Sequence, residues 1–404
     1  MISGVVVKCS NANRFTNEIQ VNKFLLFCTV LVFSSPAYSL QENDRADSNK
    51  HPVSSDLPID AIPDLRDVTA DLKQQDKKSR DWVAVPIPMS SPTFGTGLIL
   101  GGAYFYPQSE QQKKSQPASF TGAAAGYTHN ESFFAGVMQQ NYWAEDKWRF
   151  NGVAGYADFK FELIPPEDGS EEEVPAWLVK GGIFQASFSR RLRGDWYAGL
   201  SARYLDIEQQ LDLTSEISEF NLQSEISSPG IGLNLEYDTR DLPSNAYSGR
   251  RFEVKAIFAG QSQKEAGNYQ GYYARFRSYH QLKKNFVVAL DLNGCVKSGQ
   301  IPLWDTCRLN LRGFPLTDYL SLRSFSAQAE IRWQVYKRWG LVAFAGAGRV
   351  KDSFASHGEG ETIPSYGAGL RFMVLESQRI NVRVDYARSD NGSEAWYLGV
   401  TEAF

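Results

Sequence analysis

The sequence predicts a transmembrane antiparallel β-barrel of about sixteen strands, preceded by a short periplasmic tail. Three observations support this fold class: apolar and polar residues alternate along most of the chain, aromatic residues are abundant, and the chain starts with a secretory leader. Aromatic residues make up 13% of the 404 residues, which suits the interfacial belts of a membrane protein. Charged residues make up 22%, which excludes a bundle of membrane helices.

Residues 1–39 are predicted to be a signal peptide. Lys23 precedes the apolar run Phe24–Phe33, and small residues follow up to Ser39, where we expect cleavage. The apolar run is too short to span a bilayer. Acylation at Cys28, as in a lipoprotein, is the alternative interpretation.

Residues 40–81 form a separate region with little apolar content. The stretch up to Asp60 is polar and is expected to be disordered. A short, highly charged helix is predicted near Asp64–Lys73, but it is too short to bury a core. We therefore interpret 40–81 as a periplasmic tail, with a plain linker as the simpler alternative.

The last ten residues show the alternation most clearly. One face of this stretch carries the apolar residues Trp396, Leu398, Val400 and Phe404. Such a strand, apolar on one face and ending on an aromatic residue, is typical of the last strand of an outer-membrane barrel. Glu402 interrupts the apolar face two residues from the end, where we expect it to reach the lipid headgroups.

The same alternation recurs along the rest of the chain from Trp82 onward. A soluble sandwich would show a similar pattern, but the aromatic content and the leader favour a membrane barrel at 82–404. The predicted strands are 82–90, 94–106, 118–129, 131–143, 147–162, 179–192, 195–211, 227–241, 250–261, 269–282, 285–298, 322–336, 339–351, 363–375, 380–389 and 395–404.

The lengths of the predicted connections support this strand assignment. Tight connections such as 283–284 and 337–338 fall on the side that also holds both ends of the barrel, and long ones such as 163–178 and 299–321 fall on the other side. Short periplasmic turns and long outer loops are typical of outer-membrane barrels. The connection 107–117 is an exception, because it is long and lies on the short side.

Cys295 and Cys307 are the two cysteines left after removal of the leader, in a chain directed to an oxidising compartment. We expect them to form a disulfide that stiffens one surface loop. Two free thiols or a metal-binding pair are the alternatives, but no histidine lies nearby.

Several motifs together resemble the BamA/TamA family of outer-membrane barrels, also called bacterial surface antigens. The sequence Leu311-Arg312-Gly313-Phe314 is similar to the family's [V/I]RG[F/Y] motif and lies in the expected loop, between predicted strands eleven and twelve. Further similar segments occur in the same order along the barrel, at 235–249, 345–350, 367–372 and 384–387.

The resemblance implies a role for the loop that contains Arg312. In the family this loop folds into the lumen and its arginine contacts acidic residues of the inner wall. Glu330 occupies the position of one such acidic partner, whereas the position of the second falls on Gly346. We expect this departure to weaken the contacts of the arginine. Arg312 is therefore expected either to take part in gating or simply to brace a loop that plugs the lumen.

The chain departs from the family in its periplasmic part. Members that insert or translocate substrates carry POTRA domains before the barrel, but residues 40–81 are too few for even one such domain. A seam between 82–90 and 395–404, ending at Phe404, is the remaining candidate for a lateral gate. Pro86 and Pro88 would weaken it because proline donates no backbone hydrogen bond. Alternatively, these prolines end a periplasmic approach to a barrel that begins at Phe94.

Two functions follow from these observations as expectations. The first is assistance in inserting or translocating a protein or lipid at the outer membrane of a Gram-negative bacterium. The second is a passive surface antigen or plugged structural pore. We expect no enzyme, because Asp352, Ser356 and His357 are the only candidate catalytic group and lack a recognisable motif.

No cofactor or metal is expected. The expected partners are outer-membrane lipids and the barrel assembly machinery that would insert the chain itself. The formal net charge of −4 argues against a nucleic-acid partner.

Overall fold

A computed structural model describes residues 82–404, apart from 92, 163–175, 215–218, 243–244, 263–266, 315–317, 355–359, 376–378 and 390–393. The leader 1–39, the tail 40–81, Ser356 and His357 lie outside the described residues. The strands are β1 Trp82–Ser91, β2 Gly95–Phe105, β3 Phe120–Thr128, β4 Phe133–Trp143, β5 Trp148–Glu162, β6 Ala176–Arg193, β7 Trp196–Thr214, β8 Glu219–Asp238, β9 Gly249–Ala259, β10 Tyr269–Lys283, β11 Phe286–Gly299, β12 Ser321–Tyr336, β13 Trp339–Ser353, β14 Ile363–Leu375, β15 Ile380–Ser389 and β16 Glu394–Val400.

The sixteen strands form one closed antiparallel barrel in which each strand pairs with its neighbours in sequence and β1 meets β16. The predicted fold class is thereby confirmed. Because β1 pairs with β2 from Trp82 onward, the barrel begins at Trp82. The alternative in which Pro86 and Pro88 precede a barrel starting at Phe94 is wrong.

The period-two alternation places apolar side chains on the outer surface and charged ones in the lumen. Leu200, Ile231 and Trp396 are 65%, 68% and 60% exposed on the outside, whereas Glu330 and Asp385 are fully buried inside. An outward apolar band around a polar interior is the arrangement of a transmembrane barrel.

Two strand boundaries differ from the sequence prediction by four residues or more. β8 begins at Glu219, eight residues before the predicted start, because it pairs with an equally extended β7 as far as Thr214. β16 ends at Val400, because Thr401 adopts a φ of +69° and the chain turns away from the wall. Placing Glu402 at the headgroups and Phe404 on the outer face was therefore wrong.

The short-turn end, which we take as periplasmic, carries two elaborated connections. The 107–117 connection contains helix α1, Glu110–Ser115, whose first turn is closed by a capping box between Ser109 and Gln112. The β8–β9 connection at 239–248 folds inward, so that Leu242, Asn245 and Ala246 are buried. No helix in the described ranges is long and apolar enough to cross a membrane.

The long-loop end of the lumen is filled by apolar side chains. A buried cluster joins the inner faces of several strands between β1 and β8 to two residues of the β11–β12 connection, Trp304 and Leu320. The rings of Phe94, Phe161 and Trp177 contact one another in tilted pairs within this cluster, with centroids 5.2–5.8 Å apart. The connection that carries the Arg312 motif is therefore packed inside the barrel.

Candidate functional site: the lumen loop and its contacts

The β11–β12 connection, residues 300–320, is referred to as the lumen loop. A short 3₁₀ helix, Leu303–Asp305, lies near the start of the loop. Cys307 then pairs with Ser321 through two backbone hydrogen bonds of 2.8 and 3.0 Å. Hydroxyl groups of β12 hold the next turn, since Ser324 and Ser326 donate to the carbonyl oxygens of Arg308 and Asn310. The loop is thus attached along the inner face of β12.

Arg312, at the innermost part of the loop, uses all three guanidinium nitrogens. Nη2 lies 2.5 Å from Glu330 Oε2, Nη1 lies 3.1 Å from Asp385 Oδ2, and Nε donates to Gln328 at 3.0 Å. The guanidinium carbon also lies 3.4 Å from the centroid of the Phe344 ring. A buried arginine with two carboxylates and a ring face is held in one orientation.

The structure places the second carboxylate partner two strands beyond the expected one. The sequence position of that partner falls on Gly346 of β13, which has no carboxylate, but Asp385 of β15 reaches Arg312 from across the lumen. The expectation that this departure would weaken the arginine's contacts is therefore wrong. The segment Val384–Ala387 is one of the segments similar to the family. The period-two alternation places Asp385 on the inward face of its strand, and this was the signal that could have identified Asp385 as the second partner.

The glycines of β13 make room for the loop. A Cβ atom at Gly348 would lie 2.4 Å from Leu309 Cδ1, and one at Gly346 would lie 3.0 Å from Leu311 Cδ2. Leu309 and Leu311 therefore pack directly on the β13 backbone. They belong to a buried apolar cluster with Phe314, Tyr319, Val350 and Ile363.

Gly313 requires the conformational freedom of glycine. Its φ is +111°, a backbone conformation that side chains with a Cβ rarely adopt. In this conformation its N–H donates to the Tyr397 hydroxyl on β16 at 2.8 Å, and the Ser365 hydroxyl of β14 donates to the Arg312 carbonyl. The motif thus contacts β12, β14, β15 and β16.

A second group of charges holds the start of the loop. Asp305 accepts hydrogen bonds of 2.7 Å each from Lys297 of β11, Arg203 of β7 and the Tyr269 hydroxyl of β10. Burial by itself would raise the pKa of Asp305, but Lys297 and Arg203 outweigh it and hold that pKa well below its usual range. Cys295 and Cys307 form a disulfide at this point, with Cα atoms 5.7 Å apart.

An ionic network continues from Arg312 to the residues after β16. Asp385 also accepts from Arg371 at 2.5 Å, and Arg371 donates to Glu402 at 2.7 Å. Glu330 accepts from Arg332 at 2.7 Å, and Arg332 donates to the Phe404 carbonyl at 2.5 Å. The residues at 401–404 therefore lie in the lumen, joined to the lumen loop through the wall charges.

Phe404 was predicted as part of the seam, and this prediction is wrong. Its side chain packs instead against the buried cluster of Ala246, Tyr279 and Ala289, on the β8–β9 connection, β10 and β11. The physical reason is the turn at Thr401, whose N–H donates to the Asn381 carbonyl at 2.7 Å and directs the following residues inward. Alternation alone could not reveal this turn.

The seam itself joins β1 to β16 at one register pair, Ser90 with Leu398. By contrast, β1 matches β2 along all ten of its residues, and β15 matches β16 at seven positions. Pro86 and Pro88 lie in β1 with exposed side chains, and neither has an N–H to donate. Among the described residues, this is the most sparsely paired junction in the wall.

Comparison with solved structures identifies the same fold in several barrels. BamA from Haemophilus ducreyi lacking POTRA domains 1–3 superposes with a TM-score of 0.58 at 10% identity, covering 80% of this chain and 71% of that chain. CdiB from Escherichia coli gives 0.53 at 10% identity, covering 84% and 71%. CdiB from Acinetobacter baumannii gives 0.52 at 10% identity, covering 80% and 60%.

This chain is an outer-membrane β-barrel of the Gram-negative type. The shared fold of sixteen closed strands carries that conclusion. No protein-family model matches the sequence, and no curated protein matches it either. The likeness to BamA and CdiB therefore concerns the fold.

Proposed function

We propose that this barrel assists the insertion or translocation of a protein or lipid at the outer membrane through the β1–β16 seam. The observation that carries the proposal is the single register pair between these strands. Backbone hydrogen bonds supply most of the adhesion between neighbouring strands of a barrel. A junction with few of them opens more easily than the rest of the wall.

The end of β16 supports the same proposal. The strand has seven residues, and the chain after Val400 is held inside the lumen by Arg332 and Arg371. These residues cannot extend the pairing with β1 while they remain there. The first half of β1, at the short-turn end, is thus left with an edge that a strand of a client protein could pair with.

The fold shared with BamA and CdiB is consistent with this role, as an analogy at the level of fold. The proposed partners are outer-membrane lipids and, for the barrel's own insertion, the barrel assembly machinery. The substrate class, protein or lipid, is left to the experiment.

The proposal is tested by locking the seam. Ser90→Cys combined with Leu398→Cys places two cysteines at the one register pair, within reach of a disulfide. The protein is reconstituted in liposomes and supplied with a urea-unfolded eight-stranded barrel or a fluorescent phospholipid. We expect the unlocked protein to speed client insertion or lipid transfer, and the locked protein to lose most of this acceleration until it is reduced.

A matched disulfide controls for the chemistry. Val384→Cys with Leu398→Cys joins β15 to β16 at another register pair and leaves the seam free, so it should not affect the activity. Reductant added to the wild type controls for the native disulfide. Equal activity of the locked and unlocked proteins, or no activity with either client, would contradict the proposal.

A plugged structural barrel is the second candidate, and a specific observation favours it. The lumen loop is held by Arg312 at one end and by Asp305 at the other. Planar-bilayer conductance of the wild type and of a variant lacking 300–320 separates an open pore from a plugged one. A steady wild-type current that ignores the deletion would indicate a simple pore.

A further inference from the structure

A cavity of about 150 Å³ lies between the lumen loop and the inner wall. Its floor is formed by β7 and β9–β12, and the loop residues 304–310 cover it. Sites for drug-sized molecules occupy about 300–1,000 Å³. The cavity therefore accommodates a small group rather than a large organic ligand.

Positive charge dominates the lining of this cavity. Five basic side chains contribute to it: Arg203, Lys255, Arg275, Lys297 and Arg308. Glu253 and Asp305 are the lining carboxylates, so three positive charges are in excess. Asp291 does not line the cavity, but its carboxylate pairs with Arg275 at 2.9 Å and reduces the excess to two positive charges.

The two lining carboxylates are already shared among several cations. Asp305 pairs with both Lys297 and Arg203. Glu253 lies 3.8 Å from Lys255 and also faces Arg251 and Arg277, at 3.2 and 3.8 Å. Each lining carboxylate is therefore shared between at least two cations, and the lining keeps a net positive charge. Buried charges that lack full compensation are expensive, and a small anion would compensate them.

Arg203 provides an independent observation that points to a ligand. Its side chain is only 9% exposed, and Nη2 donates to Asp305 and to the Tyr269 hydroxyl. Its Nε has no hydrogen-bond partner among the residues that the structure describes. A buried guanidinium N–H without an acceptor is unfavourable by about 1–3 kcal/mol, so an oxygen atom of a bound group is expected there.

We propose that this cavity binds a phosphate group, as inorganic phosphate or as the headgroup of a phospholipid. Phosphate is small and doubly charged, and its oxygens accept several hydrogen bonds, which suits arginines and lysines that converge from different strands. The cavity is roofed by the segment that the Cys295–Cys307 disulfide ties to β11. A bound phosphate would therefore hold the start of the lumen loop against β7 and β9–β11, whether or not the seam opens.

The test is calorimetric titration of the folded barrel in a non-ionic, phosphate-free detergent. One arm uses inorganic phosphate and the other a short-chain phosphatidic acid. We expect saturable binding of one phosphate group, weakened by added salt. Binding in the inorganic arm means that free phosphate suffices, and binding in the lipid arm alone assigns the site to a headgroup.

Two variants connect binding to this cavity. Arg203→Lys keeps a cation beside Asp305 but removes the unpartnered Nε, and Lys255→Gln removes one positive charge. We expect each to weaken phosphate binding at least tenfold. Lys351→Gln, which removes an exposed lysine of β13, serves as the matched control and should leave binding unchanged.

The result that overturns the proposal is the absence of saturable binding in both arms, or binding that neither cavity variant weakens. Folding is checked for every variant by the heat-dependent shift in gel mobility of the closed barrel. If Arg203→Lys does not fold, Lys255→Gln alone decides, because the Lys255–Glu253 separation of 3.8 Å is longer than the 2.7 Å between Arg203 and Asp305.

Discussion

The β1–β16 seam and the Arg312 end of the lumen loop both attach a segment of the chain to β16, but by different interactions. Among the described residues, the seam has one backbone register pair. Arg312 has buried ionic contacts with Glu330 and Asp385. The N–H of Gly313 donates to the Tyr397 hydroxyl of β16. Breaking one partner of a buried ion pair costs about 3–5 kcal/mol, far more than separating one strand pair. We infer that the wall opens before the lumen does.

Arg312→Met should have the largest effect, because it leaves this end of the loop without its ionic contacts and removes the cation that faces Glu330 and Asp385. We expect loop docking to weaken by about 3–5 kcal/mol. In planar bilayers the variant should show large openings far more often than the wild type.

Arg312→Lys is the matched control for this variant. It keeps the charge but loses the three-way geometry of the guanidinium, so openings of intermediate frequency are expected. If Arg312→Met conducts no more than the wild type, the apolar cluster around Leu311 and Phe314 holds the loop, and the contrast with the seam disappears.

Replacing both cysteines by serine comes next. The disulfide spans a sequence separation of 12, for which the chain-entropy relation gives about 3 kcal/mol of stabilisation. We expect urea unfolding in detergent, followed by tryptophan fluorescence, to require correspondingly less urea. The lumen should stay closed, since Asp305 still holds this end of the loop. Openings in the cysteine-free protein would show that the disulfide, too, closes the lumen.

Asp318→Asn should change the pH dependence of loop docking. Burial raises the pKa of Asp318 to about 7, and its Oδ1 has no hydrogen-bond partner in the described part of the chain. Because the docked pKa lies above the ordinary value of 3.8, docking is strongest below about pH 4 and weakens as the pH rises to about 7.

The Asp318→Asn variant cannot ionise, so its loop should be held more firmly at pH 8, by about 1–3 kcal/mol. The measurement is the frequency of channel openings between pH 5 and pH 8. The wild type should open more often as the pH rises, and the variant should not. A variant that retains the wild-type pH profile would place the titrating group elsewhere.

The smallest effect is expected at the seam itself. Pro86→Ala and Pro88→Ala each restore one backbone N–H to β1, worth about 0.5–1.5 kcal/mol per hydrogen bond formed. Amide hydrogen exchange in β16 should become slower in the double variant, while exchange in β15 stays the same. Unchanged exchange in β16 would mean that the short length of β16, rather than the prolines, keeps the seam sparse.

Most of the wall could be predicted from the sequence, because a side-chain period of two is a local property. All sixteen strands were predicted near their observed positions, and Glu330 was predicted on the inner face opposite Arg312. The extension of β8 to Glu219 was not predictable, since the segment 219–226 forms a strand only through its pairing with β7. The local pattern predicts on which face of the sheet a residue lies, but not over how many residues two neighbouring strands pair.

The candidate site was predictable only in part. The LRGF motif and the cysteine pair could be identified from residue types and order. Asp385 could not be paired with Arg312 from spacing, because 73 residues separate them and the contact exists only across a closed lumen. The space that Gly346 and Gly348 leave for Leu309 and Leu311 depends likewise on where the loop lies.

The sequence by itself determined the membrane barrel, its strand number and the division between an apolar outside and a charged inside, because alternation and composition act through local geometry and burial. The tertiary structure alone decided that 401–404 turn into the lumen, that β1 and β16 share one register pair, and that positive charge accumulates beneath the lumen loop. These features arise when the barrel closes and brings together residues from distant strands, whose charges and volumes must then compensate one another.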